Sequence, residues 1–136
     1  ERHVVLYDAD CGFCLWALAK VLAWDRQCRL RPLALQDPAA GALLGAIDEE
    51  RGMESWHLAA PDGELRSAGG ALAPLLRLLP GGAALAPALE RSPRLADRLY
   101  FAVAGRRSVL GKLVSAAARA RAKARVEKRE RLSAGA

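Results

Sequence analysis

The sequence predicts an α/β fold, and three observations predict it. His3 to Tyr7 is apolar and β-branched, with the length of a buried strand. From Gly12 the spacing changes: Cys14, Ala17, Leu18, Val21 and Leu22 fall on one helical stripe that ends near Asp25. Cys28 to Leu35 then reads as a second strand, with Pro32 marking an edge position or the strand's end. Strand, helix and strand over about thirty residues make a βαβ unit.

The remaining elements follow in order. Asp37-Pro38 opens a helix expected to run to about Glu50, with Asp37 as N-cap and Pro38 in the first turn. Ser55 to Ala60 alternates as a strand. Pro61-Asp62-Gly63 is a turn, because Pro presets φ and Gly accepts φ > 0; Glu64 to Ser67 returns as the hairpin's second strand. Ala71 to Leu79 is helical, starting near Leu72 or Ala73 because Pro74 belongs in a first turn. Pro80 to Glu90, rich in Gly, Ala and Pro, reads as a loop with room for a short turn of helix. Ser92-Pro93 starts a helix that runs to Ala104 and breaks at Gly105. A last helix is expected from Ser108 to Arg131, with a Glu127–Arg131 pair on its surface. The order β-α-β-α-β-β-α is that of a thioredoxin-like core, here with extra C-terminal helices.

At 136 residues the chain is long enough for one domain with its own core. Three cysteines do not make a secreted disulfide framework; one close pair and a single extra thiol fit a reducing compartment, and the cytoplasm is expected. The longest apolar stretch, Phe13 to Trp24, contains Lys20 and is too short to span a bilayer. The first residue is Glu1 rather than Met, from which trimming or processing of the N-terminus is expected. The formal charge of +6 is uneven. Residues 106–131 carry ten Lys/Arg against Glu127 and Glu130, a net of +8, which leaves the body at −2.

Chemistry concentrates in Asp8-Ala9-Asp10-Cys11-Gly12-Phe13-Cys14, where a strand delivers two cysteines to the start of a helix. There the first thiol sits near unpaired N–H groups and the positive end of the helix dipole, both of which favour thiolate, so Cys11 is the candidate nucleophile. Cys14, one turn on, is placed to attack a mixed disulfide on Cys11 and release the product. Gly12 allows a partner to approach, and Phe13 is a partly exposed apolar contact. Asp8 and Asp10 oppose a strongly acidic thiol, so a reductase or mild exchanger is expected rather than a powerful oxidant. Asp8 either takes a proton from Cys14 during resolution or bonds loop amides. Two inert buried cysteines, or half of a metal site, are the competing readings of the pair.

On these residues the chain resembles the DCC family of predicted thiol–disulfide oxidoreductases, which has an Asp-x-x-Cys-x-x-Cys signature. Asp8, Cys11 and Cys14 match it, as do Leu6-Tyr7-Asp8, the Arg29-Leu30-Arg31-Pro32-Leu33 strand, Pro61-Asp62-Gly63, and a late Tyr100…Ala104-x-x-Arg107 segment before Gly111. The match covers roughly residues 4–112. The resemblance implies a thioredoxin-like fold, Cys11 and Cys14 as the redox pair, and Asp8 as the third signature residue. Residues 1–112 would form the domain and residues 113–136 a basic helical extension of it. A disulfide-bearing protein or a small thiol compound would be the substrate, with no cofactor or metal. Two departures stand out. Ala9 replaces a usual Gly, and Arg51-Gly52-Met53-Glu54-Ser55 lacks the cis-proline that thioredoxins carry at that point.

The other candidates are bland. Cys28 reads as a core or rim thiol at the start of the second strand. Cys11, Cys14, Cys28 and His57 could supply four zinc ligands, but the last two do not pair at a usual spacing, and His57 reads as a packing or surface residue. Gly105 to Leu113 imitates a phosphate loop with one residue too many between glycines and a Leu at the metal-binding position. Asp48-Glu49-Glu50 is a solvated charge run. Trp16, Trp24 and Trp56 are not spaced as a stacking platform, which argues against a nucleic-acid partner. The basic C-terminal helix is expected to be solvated and partly frayed. The alternative to an enzyme is a binding or scaffold protein acting through that helix.

Overall fold

A computed structural model describes residues 1–45 and 56–135 of the chain. Four strands, β1 (His3–Tyr7), β2 (Leu30–Ala34), β3 (His57–Ala59) and β4 (Leu65–Ser67), form one sheet in the order β2-β1-β3-β4. β1 and β2 are parallel, whereas β3 runs antiparallel to both β1 and β4. The helices among the described residues are α1 (Gly12–Trp24), α2 (Pro38–Leu44), α3 (Leu72–Leu78), α4 (Ala86–Arg91), α5 (Pro93–Ala104), α6 (Arg107–Leu113) and α7 (Ala116–Ala134). The βαβ-α-ββα order with added C-terminal helices is the expected thioredoxin-like topology.

The pleat of β1 sorts the core into two layers. Val5 and Tyr7 face Leu15, Leu18 and Leu22 of α1, Leu75 of α3 and Val126 of α7. Leu6 faces the other way, onto Leu33, Leu35 and Ala40 of α2. Each fully buried Leu contributes about 2 kcal/mol, so helices are held on both faces of the sheet.

Local chemistry accounts for most boundaries. The Asp37 carboxylate accepts from Ala39 N at 2.8 Å, as an N-cap should, with Pro38 behind it. α2 ends at Leu44, followed by Gly45 at φ +57°; the expected continuation to Glu50, the charge run 48–50 and the proline-free stretch 51–55 lie outside the described residues. The hairpin turns where expected, with Gly63 at φ +91° donating to Ala60 O at 2.9 Å. Gly69 permits a close approach: a Cβ there would lie 2.5 Å from Asp97 N on α5. That contact seats α5 beside β4.

Several expectations are corrected. The supposed loop 80–90 contains α4, started by Pro87 in its first turn. α5 begins at Pro93, but Ser92 makes no side-chain cap bond. The single last helix is two, because the chain extends at Val114 and Ser115 starts α7, its hydroxyl accepting from Ala118 N at 3.1 Å. Glu127 pairs with Lys123 at 3.9 Å rather than with Arg131. Cys28 is an exposed turn residue at φ +53°, two positions before β2, and not a core thiol.

α7 is not a solvated, frayed arm either. Ala122, Val126 and Ser133 are buried, and Arg129 is inserted at the end of α1. Its Nη1 donates to the buried Asp25 carboxylate at 2.7 Å, while Nη2 donates to Leu22 O and Asp25 O at 3.1 and 3.3 Å. Asp25 also accepts from the Arg29 and Leu30 amides at 3.1 and 2.9 Å. One guanidinium thus satisfies both the acid and the orphan carbonyls at the helix C-terminus. Tyr7 adds a hydroxyl donated to Glu130 Oε1 at 2.9 Å.

Candidate functional site

β1 ends at Tyr7, and the loop 8–11 carries the chain onto the N-terminus of α1. Cys11 is the N-cap residue, in extended conformation, and its sulfur accepts from Cys14 N at 3.3 Å. The cap geometry turns one of the helix's unpaired amides onto the Cys11 sulfur. Both thiols are free and half-buried.

Cys14 behaves differently. Its thiol is pushed up to about 12, first by burial, then by its hydrogen bond to Cys11 and the Cys11 charge. Asp8 pushes in the same direction, and Arg107 opposes it. The pair is therefore asymmetric: Cys14 keeps its proton and offers it to Cys11.

The loop ahead of the pair is held by Gln36, a residue with no marked sequence signal. Its Nε2 donates to Asp8 Oδ1 at 2.8 Å and to Asp10 Oδ2 at 3.3 Å, and its Oε1 accepts from Ala9 N at 3.1 Å. Asp8 Oδ1 also accepts from Asp10 N at 3.0 Å. One Asp8 oxygen therefore does bond a loop amide, while Oδ2 makes no hydrogen bond among the described residues. Ala9 keeps φ out of the left-handed region, so the missing glycine costs no backbone strain here.

Other residues converge on the pair from the C-terminal helices. The Arg119 side chain of α7 covers Gly12, its Cζ and Nε 3.5 Å from where a Cβ would stand. That space, which the sequence reserves for a partner, is occupied by the protein's own guanidinium. Gly111 of α6 comes within 3.8 Å of Phe13 N by the same measure. Phe13 stacks on Trp16 with centroids 6.1 Å apart.

Behind Cys14 lies a cavity of about 390 Å³. Ala17 and Val21 form its floor with Cys14, so the predicted helical stripe divides. Leu15, Leu18, Ala19 and Leu22 are the buried face of α1, while Cys14, Ala17 and Val21, with Leu18 beside them, line this space. Trp56, Leu99, Tyr100 and Val103 wall it, and Asp8 and Arg107 are its only charged members among the described residues. Tyr100 stacks on Trp56 at 6.4 Å, and its oxygen accepts from Trp56 N at 3.1 Å. Its phenol is raised, chiefly by burial. Residues 100–107, visible in sequence only as a late matching segment, are thus brought against Cys14.

The four conceivable zinc ligands do not converge. Cys28 follows the C-terminal end of α1, a helix about 20 Å long, and so stands far from Cys11. His57 is buried beside Leu6, on the sheet face opposite α1, with its ring against the Ser67 hydroxyl. Among the described residues no group of three or more metal-ligating side chains occurs, and no helix is long and apolar enough to cross a membrane.

The family model of the DCC1-like thiol-disulfide oxidoreductases matches residues 5–113, which takes in the cysteine pair, the sheet and the helices that wall the cavity. Comparison with curated proteins and with solved structures gave no match.

Proposed function

The chain belongs to the DCC1-like thiol-disulfide oxidoreductase family, and from that premise we propose that it exchanges disulfides through Cys11 and Cys14, with Asp8 assisting. In the reducing direction the Cys11 thiolate attacks one sulfur of a substrate disulfide. The bond from Cys11 to that sulfur forms, the substrate S–S bond breaks, and the first thiolate leaves and takes up a proton. Cys14, once deprotonated, attacks the Cys11 sulfur; the Cys11–Cys14 bond forms and the second thiolate leaves. The protein pair gives up two electrons and the substrate gains them. A dithiol reductant returns the pair to its starting state.

The observation that carries this reading is the asymmetry of the pair. Cys11 caps α1 and accepts from Cys14 N, whereas burial and Cys11 itself hold the proton on Cys14. When Cys11 enters a mixed disulfide, its charge and its hydrogen bond to the Cys14 thiol disappear. Cys14 is then released from two of the causes that kept it protonated. Asp8, with Oδ2 open and its charge felt at Cys14, is the acceptor we assign to that proton. A reducing compartment, the cytoplasm, fits three free thiols. α7 packs against α1 through Ala122, Val126 and Arg129, while Arg121, Lys123, Arg125, Lys128 and Arg131 are exposed.

Trapping tests the assignment. Cys14→Ser, mixed with a disulfide substrate, should accumulate a mixed disulfide on Cys11 that survives denaturation in acid. Cys11→Ser should accumulate none. Equal trapping on both variants would assign the attack wrongly.

A further inference from the structure

We propose that the cavity behind Cys14 selects the substrate: a small disulfide in which at least one half is an apolar, ring-sized group bearing a carboxylate. This rests on the exchange chemistry above and adds to it what the protein recognises.

Three observations carry the inference. The first is size and lining. About 390 Å³ falls within the range of small-molecule sites, and the walls are aromatic and aliphatic, with Phe13, Trp56, Leu99 and Val103 among them. The second is position, since Cys14 itself forms part of the wall. A ring seated there keeps its sulfur next to Cys14, whose amide lies 3.3 Å from the Cys11 sulfur. The third is charge. Among the described residues Arg107 is the lining's one cation and its guanidinium makes no hydrogen bond or ion pair, although its charge reaches Cys14 and Tyr100. A guanidinium at the edge of an apolar cavity is suited to a carboxylate, which it can hold in a bidentate fork. Asp8, the one acid in the lining among the described residues, has its Oδ1 engaged by Gln36 and the Asp10 amide, which ties it to the loop. Tyr100 is fixed by Trp56 and forms a rigid wall.

The cost of removing the cation can be scaled. A charge-assisted hydrogen bond contributes about 1.5–3 kcal/mol, which corresponds to at least about tenfold in affinity.

Four disulfide probes separate the two features. Dithiobis(nitrobenzoate) has ring and carboxylate, dithiodipyridine the ring alone, dithiodipropionate the carboxylate alone, and hydroxyethyl disulfide neither. The second-order rate at which each oxidises the reduced protein is measured for wild type, Arg107→Gln and Val103→Trp. Ratios of variant to wild type cancel the probes' intrinsic reactivities. For Arg107→Gln the fall on the two carboxylate probes should exceed that on their neutral counterparts by about tenfold. For Val103→Trp, which fills an already half-exposed position on the cavity wall, the two ring probes should lose about fivefold more than the aliphatic ones. Uniform falls across all four probes, or none, would overturn the cavity's role while leaving disulfide exchange standing. Failure of the wild type to oxidise reversibly with any probe, hydroxyethyl disulfide included, would bring down the exchange reading itself.

Discussion

The two ends of α1 use the same kinds of group in opposite ways. At the C-terminal end the Asp25 carboxylate, fully buried, accepts from two amides and from Arg129, and Arg129 also donates to the Leu22, Asp25 and Leu30 carbonyls. At the N-terminal end Cys11 takes a single amide, Arg107 has no hydrogen-bonded partner among the described residues, and one Asp8 oxygen is open. A saturated polar cluster holds position; an unsaturated one has capacity left for a ligand or a proton. The helix thus joins a clamp at one end to a reactive pair at the other.

The largest expected effect lies at the clamp. Arg129→Ala leaves a buried carboxylate and three carbonyls without their cation, and should cost about 3–5 kcal/mol in a urea unfolding titration. The matching truncation at the other end, Arg107→Ala, should cost under about 0.5 kcal/mol, as at an ordinary surface site. Comparable costs at the two ends would erase the distinction.

Much of the clamped frame was legible in sequence, but not the clamp. β1, the start of α1, the Asp37 cap and the 61–63 turn announce themselves through local chemistry, since each depends on residues within one turn of each other. Asp25 and Arg129 stand 104 positions apart, and no local pattern links them. The face of α7 that meets α1 is faint in sequence because it is built from Ala122, Val126 and Ser133, small residues that let helices approach but leave a weak hydrophobic stripe. The break at Ser115 was hidden between two good helix-forming segments with no Pro or Gly at the junction, while Gly111 sits inside α6. At the site, the cysteine motif was plain, and the cavity was not. It is assembled from β1, α1, α3, α5 and α6 together with Trp56, and Gln36 and Arg119 reach the loop from elements with no motif of their own.

A smaller effect should appear with pH, and it belongs to the reactive end. The folded state holds the Cys14 proton more tightly than an unfolded chain does, with a folded value of about 12 against an ordinary 9.0. Tyr7 and Tyr100 are raised as well, each chiefly by burial. The stability these groups confer is complete below the unfolded values and is lost as pH rises through the folded ones. Unfolding midpoints should therefore decline from about pH 9 upward, and less steeply in Cys14→Ser. An equal slope in the variant would show that Cys14 is not the group responsible.

The comparison of the two ends comes down to which thiols pair. Cys11 and Cys14 share the open end of α1, whereas Cys28 is exposed beyond the clamped end. The most direct test is a redox titration of the native protein in a dithiothreitol buffer series, with thiols mapped by mass at each poise. We expect Cys11 and Cys14 to disappear and return together as one two-electron couple while Cys28 stays alkylatable throughout. Oxidation of Cys28 with either of them, or a Cys11–Cys14 pair that never closes, would contradict the account.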